Sequence, residues 1–386
     1  MKVGARGTIP PLIAALLAMT PASAQNRPEQ KPQMAEDVFK NVQVLKGTTV
    51  NEFMETMGFF SASTLLNCAD CHTKESSGSW EKYADETDLK RTARRMVLMT
   101  RAINQSFFAG QRLITCYSCH RGDERPRVEP NLTEMYSAPA PQEPEQVLKQ
   151  APGAPSADSI LDKYIQALGG AQNLSGMASL VAKGIYDGSP VSLMAGQSPL
   201  EIYAKAPNQR TMIVHPDAGD ATTTYDGHTA WSAAPSIYAP FPVIPLAGSD
   251  LDAADVEAEL TFPGRIKQSL TDWRVGFPFI VDNNDVQVVQ GTSAGKLPVT
   301  LYFDSKSGLL VRMVRYTNLP VGLNPLRTDY ADYRDVSGIK VPFLIKLTWV
   351  GGQATLKLND VQLNVPIDTA KFGKPSPPAA RKTATP

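Results

Sequence analysis

The chain has 386 residues, with 38 Lys+Arg balanced by 38 Asp+Glu, and its net charge is zero. That length fits two domains of ordinary size, and the charge balance leaves no basic footprint for nucleic acid. Only 4 cysteines are present, too few for a disulfide-built scaffold, and the 31 prolines cluster rather than scatter.

In chain order, the basic stretch Met1–Arg6 precedes an apolar run from Ile13 to Met19 and then Ala22-Ser23-Ala24. This is the pattern of an export signal cut after an A-x-A site. The apolar run is too short to cross a bilayer, and no cysteine follows Ala24 to carry a lipid. The expectation is a periplasmic protein with a signal peptide over residues 1–24, no lipid anchor and no transmembrane helix.

Thr49-Val50-Asn51-Glu52 has the form of a capping box, which predicts a helix from Val50 to about Ser63. Met54 and Met57 share one face of it. A second helix is expected from near Asp85 to about Phe108, with Leu89, Ala93, Met96, Thr100, Ile103 and Phe107 as its apolar stripe. Met96 sits at the centre of that stripe and Met99 towards its edge.

Two five-residue motifs use all four cysteines: Cys68-Ala69-Asp70-Cys71-His72 and Cys116-Tyr117-Ser118-Cys119-His120. Each is C-x-x-C-H, the attachment pattern of a c-type haem. Two thiols at this spacing reach the two vinyl groups of one porphyrin edge, and the next residue brings its imidazole to the iron. A zinc site assembled from both pairs, or a redox dithiol, leaves the histidine after each second cysteine unexplained. The expected cofactors are two covalently bound haem c groups on Cys68, Cys71, Cys116 and Cys119, with His72 and His120 as proximal ligands.

A second axial ligand must come from elsewhere. The remaining histidines, His215 and His228, lie far along the chain, so bis-His ligation would have to cross between domains. Methionine from the preceding helix is the local alternative, and His/Met ligation raises the reduction potential. Met57 is expected on the His72 haem and Met96 on the His120 haem, with Met54 and Met99 as fallbacks.

Residues 38 to about 128 resemble the haem-binding cytochrome subunit of photosynthetic reaction centres. The likeness rests on Met57–Cys68, with its S-x-S and Asn-Cys elements, and on Arg94–Asn104 leading to Ile114–Gly122. It implies a repeated unit of Met-bearing helix, turn, C-x-x-C-H and a helix along the haem plane, and it makes Met96 the ligand after the Arg-Arg pair. The chain departs from that family in having two motifs rather than four, no histidine in the loop Phe107–Arg112, and no lipid-anchoring cysteine.

Between Asp123 and Ser156, prolines 126, 130, 139, 141, 144, 152 and 155 mark an extended linker. Beyond it, Asp158–Leu168 is an amphipathic helix ended by Gly169-Gly170. Strands follow at 200–204, 210–215, 222–225, 286–290, 299–303, 309–316, 344–350 and 355–363, with a helix near Asp252–Leu260. Sequential hairpins predict a curved antiparallel sheet or open barrel. Tyr225-Asp226-Gly227 with Trp231, and Tyr330–Asp335 with Gly338–Pro342, make this part similar to the half-barrels of periplasmic lipoprotein carriers. His228 is expected as a turn residue and His215 as a strand-end residue, and no catalytic constellation is present.

The whole is therefore expected as a mainly α-helical dihaem cytochrome c domain (25–128), a Pro-rich linker (129–156), an α+β half-barrel domain (157–372) and a disordered tail (373–386). The leading functional expectation is an electron carrier, not an enzyme, serving redox protein partners, with a membrane-bound electron-transfer complex as one candidate. The alternatives are a dihaem peroxidase-type enzyme, and a lipid- or quinone-binding protein whose cytochrome part reports redox state. An apolar ligand in the C-terminal domain belongs to the latter.

Overall fold

The computed structural model describes residues 31–137, 148–189 and 194–379. The expected export signal, part of the expected linker and the end of the tail lie outside these residues. Among the described residues no helix is long and apolar enough to cross a membrane.

The N-terminal part is built from helices. Thr49 caps α1 (Val50–Thr64), accepting from the Glu52 N–H while the Glu52 carboxylate accepts from the Thr49 N–H, the capping box expected from sequence. Each haem motif forms a short helix, α2 (Cys68–Cys71) and α4 (Cys116–His120), on either side of the long α3 (Asp88–Phe107). The buried residues of α3 are Val97, Thr100 and Asn104, so its inward face is turned from the expected stripe. Met96 and Ile103 are half-buried, and Phe107 is 77 % exposed.

The C-terminal part opens with α5 (Ala157–Leu168), which buries Ile160, Leu161, Tyr164, Ile165 and Leu168 at helical spacing. Six strands follow: β1 (Ser179–Gly188), β2 (Gly196–Lys205), β3 (Gln209–Val214), β4 (Ala221–Tyr225), β5 (Ala230–Ala233) and β6 (Val243–Leu246). After α6 (Ser249–Leu260) come β7 (Thr271–Val275), β8 (Phe279–Val281), β9 (Asn284–Thr292) and β10 (Pro298–Asp304). The last four are β11 (Leu310–Leu319), β12 (Gly322–Val336), β13 (Ile339–Trp349) and β14 (Gly352–Leu363). They form one open antiparallel sheet in the order β6-β5-β4-β3-β2-β1-β14-β13-β12-β11-β10-β9-β7, with β8 paired to β9. The first strand thus zips to the last, Ala182 opposite Val361.

One carboxylate shows that this sheet bends. Glu257 on α6 meets Arg210 of β3 at 3.4 Å and also the guanidinium of Arg315 on β11. Those strands are six places apart in the sheet, roughly 29 Å if it were flat, far beyond the reach of a single side chain. The sheet therefore wraps around its helices. Leu161, Leu168, Phe262 and Ile266 join Leu200, Leu301, Met313 and Leu356 in one core on the concave side, so the chain's own helices fill that face.

The Pro-rich stretch leads to two halves in close contact, not to the sparse contact that a free linker implies. Leu148 packs on Val286, Val288 and Tyr302, and the Ala151 N–H donates to the Val275 carbonyl at 2.8 Å. Phe59 of α1, Val97 of α3 and Cys116 of α4 share a buried cluster with Leu319 and Val321 from the β11–β12 hairpin. Thr317 and Asn324 both donate to the Glu55 carboxylate, at 2.8 and 3.0 Å. Phe39 stacks on Phe53 and meets Phe241 of the C-terminal half at 5.5 Å. Proline content in the connection does not govern whether the faces on either side are complementary.

Candidate haem sites

The first motif begins at a tight turn. α1 ends with Leu65 in the left-handed region, and the Ser61 hydroxyl donates to the Leu66 carbonyl at 2.6 Å. Asn67 then caps α2: its side-chain oxygen accepts from the Ala69 and Asp70 N–H groups, while its own N–H donates to Asp70. These bonds place both cysteines on a single helical turn followed by His72 in extended backbone.

The imidazole of His72 is oriented from behind. Its Nδ1 lies 3.0 Å from the Tyr83 carbonyl, across a loop of two 3-10 turns. A carbonyl accepts only from an N–H, so Nδ1 carries the proton and Nε2 is left free to bind a metal. Burial, then the charge of Lys90, holds the imidazole below its usual pKa, which favours the neutral form that ligates iron. Lys90 donates to the same Tyr83 carbonyl at 2.8 Å. Thr87 caps α3 by accepting from Lys90 N–H and also donates to the Cys71 carbonyl at 2.6 Å, tying motif and helix together.

His120 has the same arrangement with a shorter lever. Its Nδ1 lies 3.0 Å from the carbonyl of Asp123, three residues on, after Arg121 turns the chain through the left-handed region. The Gly122 N–H donates to the Ser63 carbonyl, which fastens this turn to the end of α1. Asn104 supports the approach to the motif: it is 5 % exposed, accepts from the Leu113 and Ile114 N–H groups and donates to the Ile114 carbonyl at 2.7 Å. Asn104 was not among the residues expected from sequence to shape the site. Its only signal there was its place at the end of the family-like segment.

The structure places Met54, Met57 and Met96 half-buried on α1 and α3, and leaves Met99 exposed. α1 packs against α4, while α3 touches both motif helices. His215 is engaged with Asp220 at 2.9 Å inside the C-terminal half. His228 is an exposed turn residue whose N–H donates to Asp226. Among the described residues no three His, Cys, Asp or Glu side chains converge to hold a metal ion, so the two cysteine pairs do not assemble one shared site.

The surroundings fit a porphyrin. Most large apolar side chains exposed among the described residues lie between Leu65 and Tyr136, including Leu98, Met99, Phe107 and Leu113. Apolar surface grouped in this way normally has a partner to cover it, and a haem edge attached at each motif would supply one.

Residues 11–152 match the family described as photosynthetic reaction centre cytochrome C subunit, so this region is similar to cytochromes c. The cytochrome c subunit from Thermochromatium tepidum is 37% identical over 97 residues, 24% of this chain and 23% of that protein. The one from Roseobacter denitrificans is 32% identical over 122 residues, 29% of this chain and 32% of its own. The match thus covers 23% to 32% of the length of such curated relatives. By shape, a LolA superfamily protein from Nitrosomonas europaea aligns with a TM-score of 0.39 at 15% identity, covering 57% of this chain and 99% of its own. An outer membrane lipoprotein-sorting protein domain from Vibrio parahaemolyticus aligns at 0.32 and 13% identity, covering 55% and 97%.

Proposed function

We propose that this chain is a periplasmic dihaem c-type cytochrome that passes electrons between redox protein partners and is not itself an enzyme. Cys68 and Cys71 would hold one haem through thioether bonds, and Cys116 and Cys119 the other. His72 and His120 would ligate from the proximal side, with Met57 and Met96 on the distal side. The reading rests on one observation above the rest. In both motifs the histidine directs Nδ1 to a backbone carbonyl, 3.0 Å away in each case, leaving Nε2 to bind a metal. A dithiol pair needs no such repetition.

Bound haem c supplies a one-electron couple, and the chain's own residues set its surroundings. Asn67 and Asp70, and Thr115 with Ser118, hold the cysteine-bearing turns. Tyr83 and Asp123 orient the imidazoles through their carbonyls. The C-terminal half-barrel, its concave side filled by its own helices, serves as the platform on which the haem part is mounted. Pyridine haemochrome and intact mass should find two covalent haems on the exported chain. Met57→Ala and Met96→Ala should each abolish one near-infrared Met–Fe band. A mass lacking haem would overturn the proposal, and rapid peroxide consumption would favour the peroxidase-type alternative.

A further inference from the structure

We infer that Tyr83 and Trp80 form the electron port of the first haem, opening at the seam between the two halves onto a one-electron redox protein that docks through apolar contact. This deepens the proposed function and rests on His72 being a haem ligand. The Tyr83 ring stands 4.8 Å from the His72 ring, and the Trp80 ring stacks on Tyr83 at 5.2 Å with 28° between the planes. Two aromatic steps therefore lead from the proximal ligand to the surface, where Trp80 is 37 % exposed.

The C-terminal half completes the port. The indole N–H of Trp80 donates to the Ser236 carbonyl at 2.8 Å, which fixes the ring plane and ties it to the segment that carries Ile237, 68 % exposed. Charged neighbours are paired, Lys40 with Glu81 at 3.6 Å and Lys82 with Asp85 at 3.5 Å. The patch therefore sets Trp80 and Ile237 among charges of balanced sign, which suits contact surfaces built on aromatic anchors and gives association little dependence on salt. In the step itself one electron would pass between the first haem and the docked carrier, oxidising one as it reduces the other. Both rings couple the two centres without changing charge.

The test uses the full holoprotein. With all native cysteines held in thioethers, Ile237→Cys provides one thiol for a photoactive ruthenium–bipyridine label, and a separate Leu65→Cys variant carries the same label by another route. Flash-induced transfer to the first haem from position 237 should slow several-fold in Trp80→Leu and in Tyr83→Leu. Tyr83→Phe should restore it, and the rate from position 65 should not change. Without any label, the indole N–H resonance missing in Trp80→Leu should shift when the first haem is oxidised. Unchanged rates from position 237, in variants that keep both haems and the Met–Fe bands, would overturn the port and leave the cytochrome reading standing. Absence of covalent haem would overturn the cytochrome reading itself.

Discussion

The two C-x-x-C-H turns share a motif but are held by different parts of the molecule. At the first, orientation comes from the local chain: Asn67 caps the turn, Thr87 clasps it to α3, and a loop brings the Tyr83 carbonyl back to His72. At the second, the histidine's acceptor is only three residues away, and the support is tertiary. Cys116 is buried against Phe59, Val97, Leu319 and Val321, and Arg112 reaches the Leu319 carbonyl and the Asn318 side chain. One site is cradled by its neighbours in sequence and the other by the sheet, so a single five-residue signature can be stabilised by separate physics.

The sharpest way to break this symmetry is Gly322→Val. Gly322 has φ +150°, and a Cβ there would meet Thr115 Cγ2 at 2.8 Å, directly before the second motif. Overpacking and backbone strain should cost about 2–4 kcal/mol. The urea midpoint should fall and the Met–Fe band of the His120 haem should be lost, while the His72 haem keeps its spectrum.

Asn104→Ala should be next in size. It leaves the Leu113 and Ile114 N–H groups and the Ile114 carbonyl without their side-chain partner, which costs about 1–3 kcal/mol for buried groups. Chemical denaturation should report this loss, and ligand access should increase at the second haem only.

A smaller effect concerns α1, which carries Met57. Asp250, 5 % exposed, faces this helix, and its Oδ2 has no hydrogen-bond partner among the described residues. Burial, then the charge of Glu55, pushes its carboxyl up to about 8 from an ordinary 3.8. A folded pKa above the unfolded one gives stability that is full below the unfolded value and lost as pH rises through the folded one. The melting temperature should therefore decline from about pH 4 towards pH 8 through this group, and Asp250→Asn should flatten that part of the profile.

The smallest expected change is electrochemical. Lys90 places its ammonium on the carbonyl that accepts from His72, and among the described residues no lysine bonds the Asp123 carbonyl that accepts from His120. A cation on the shared acceptor weakens the pull on the imidazole proton and disfavours ferric iron. Lys90→Met should lower the first haem's potential by tens of millivolts, where ~59 mV is tenfold for one electron. A redox titration should show the second haem unmoved.

Much of this was legible in particular residues. Thr49 and Glu52 announced the start of α1, and Gly169-Gly170 the end of α5. The inward face of α3 was misplaced because Leu89, Met96 and Phe107 look like core to a periodicity argument. Their burial depends on what lies opposite, and the sheet meets α3 at Val97 instead. Strand β12 was not read as a strand, since its Asn, Arg, Asp and Tyr residues mask the alternation of a strand with a solvated face.

Short-range chemistry was settled by the sequence alone. Cysteine spacing, the following histidine, the caps and the turns act over a few residues of contiguous chain, where covalent geometry leaves few options. Only the tertiary structure decided which carbonyl receives each imidazole proton, that Asn104 braces the second motif, that Trp80 meets Ser236 and that the two halves share a core. Apart from the local Asp123 acceptor of His120, those contacts join residues 9 to 269 positions apart. They arise from complementary faces meeting in space, a property that linear spacing does not encode.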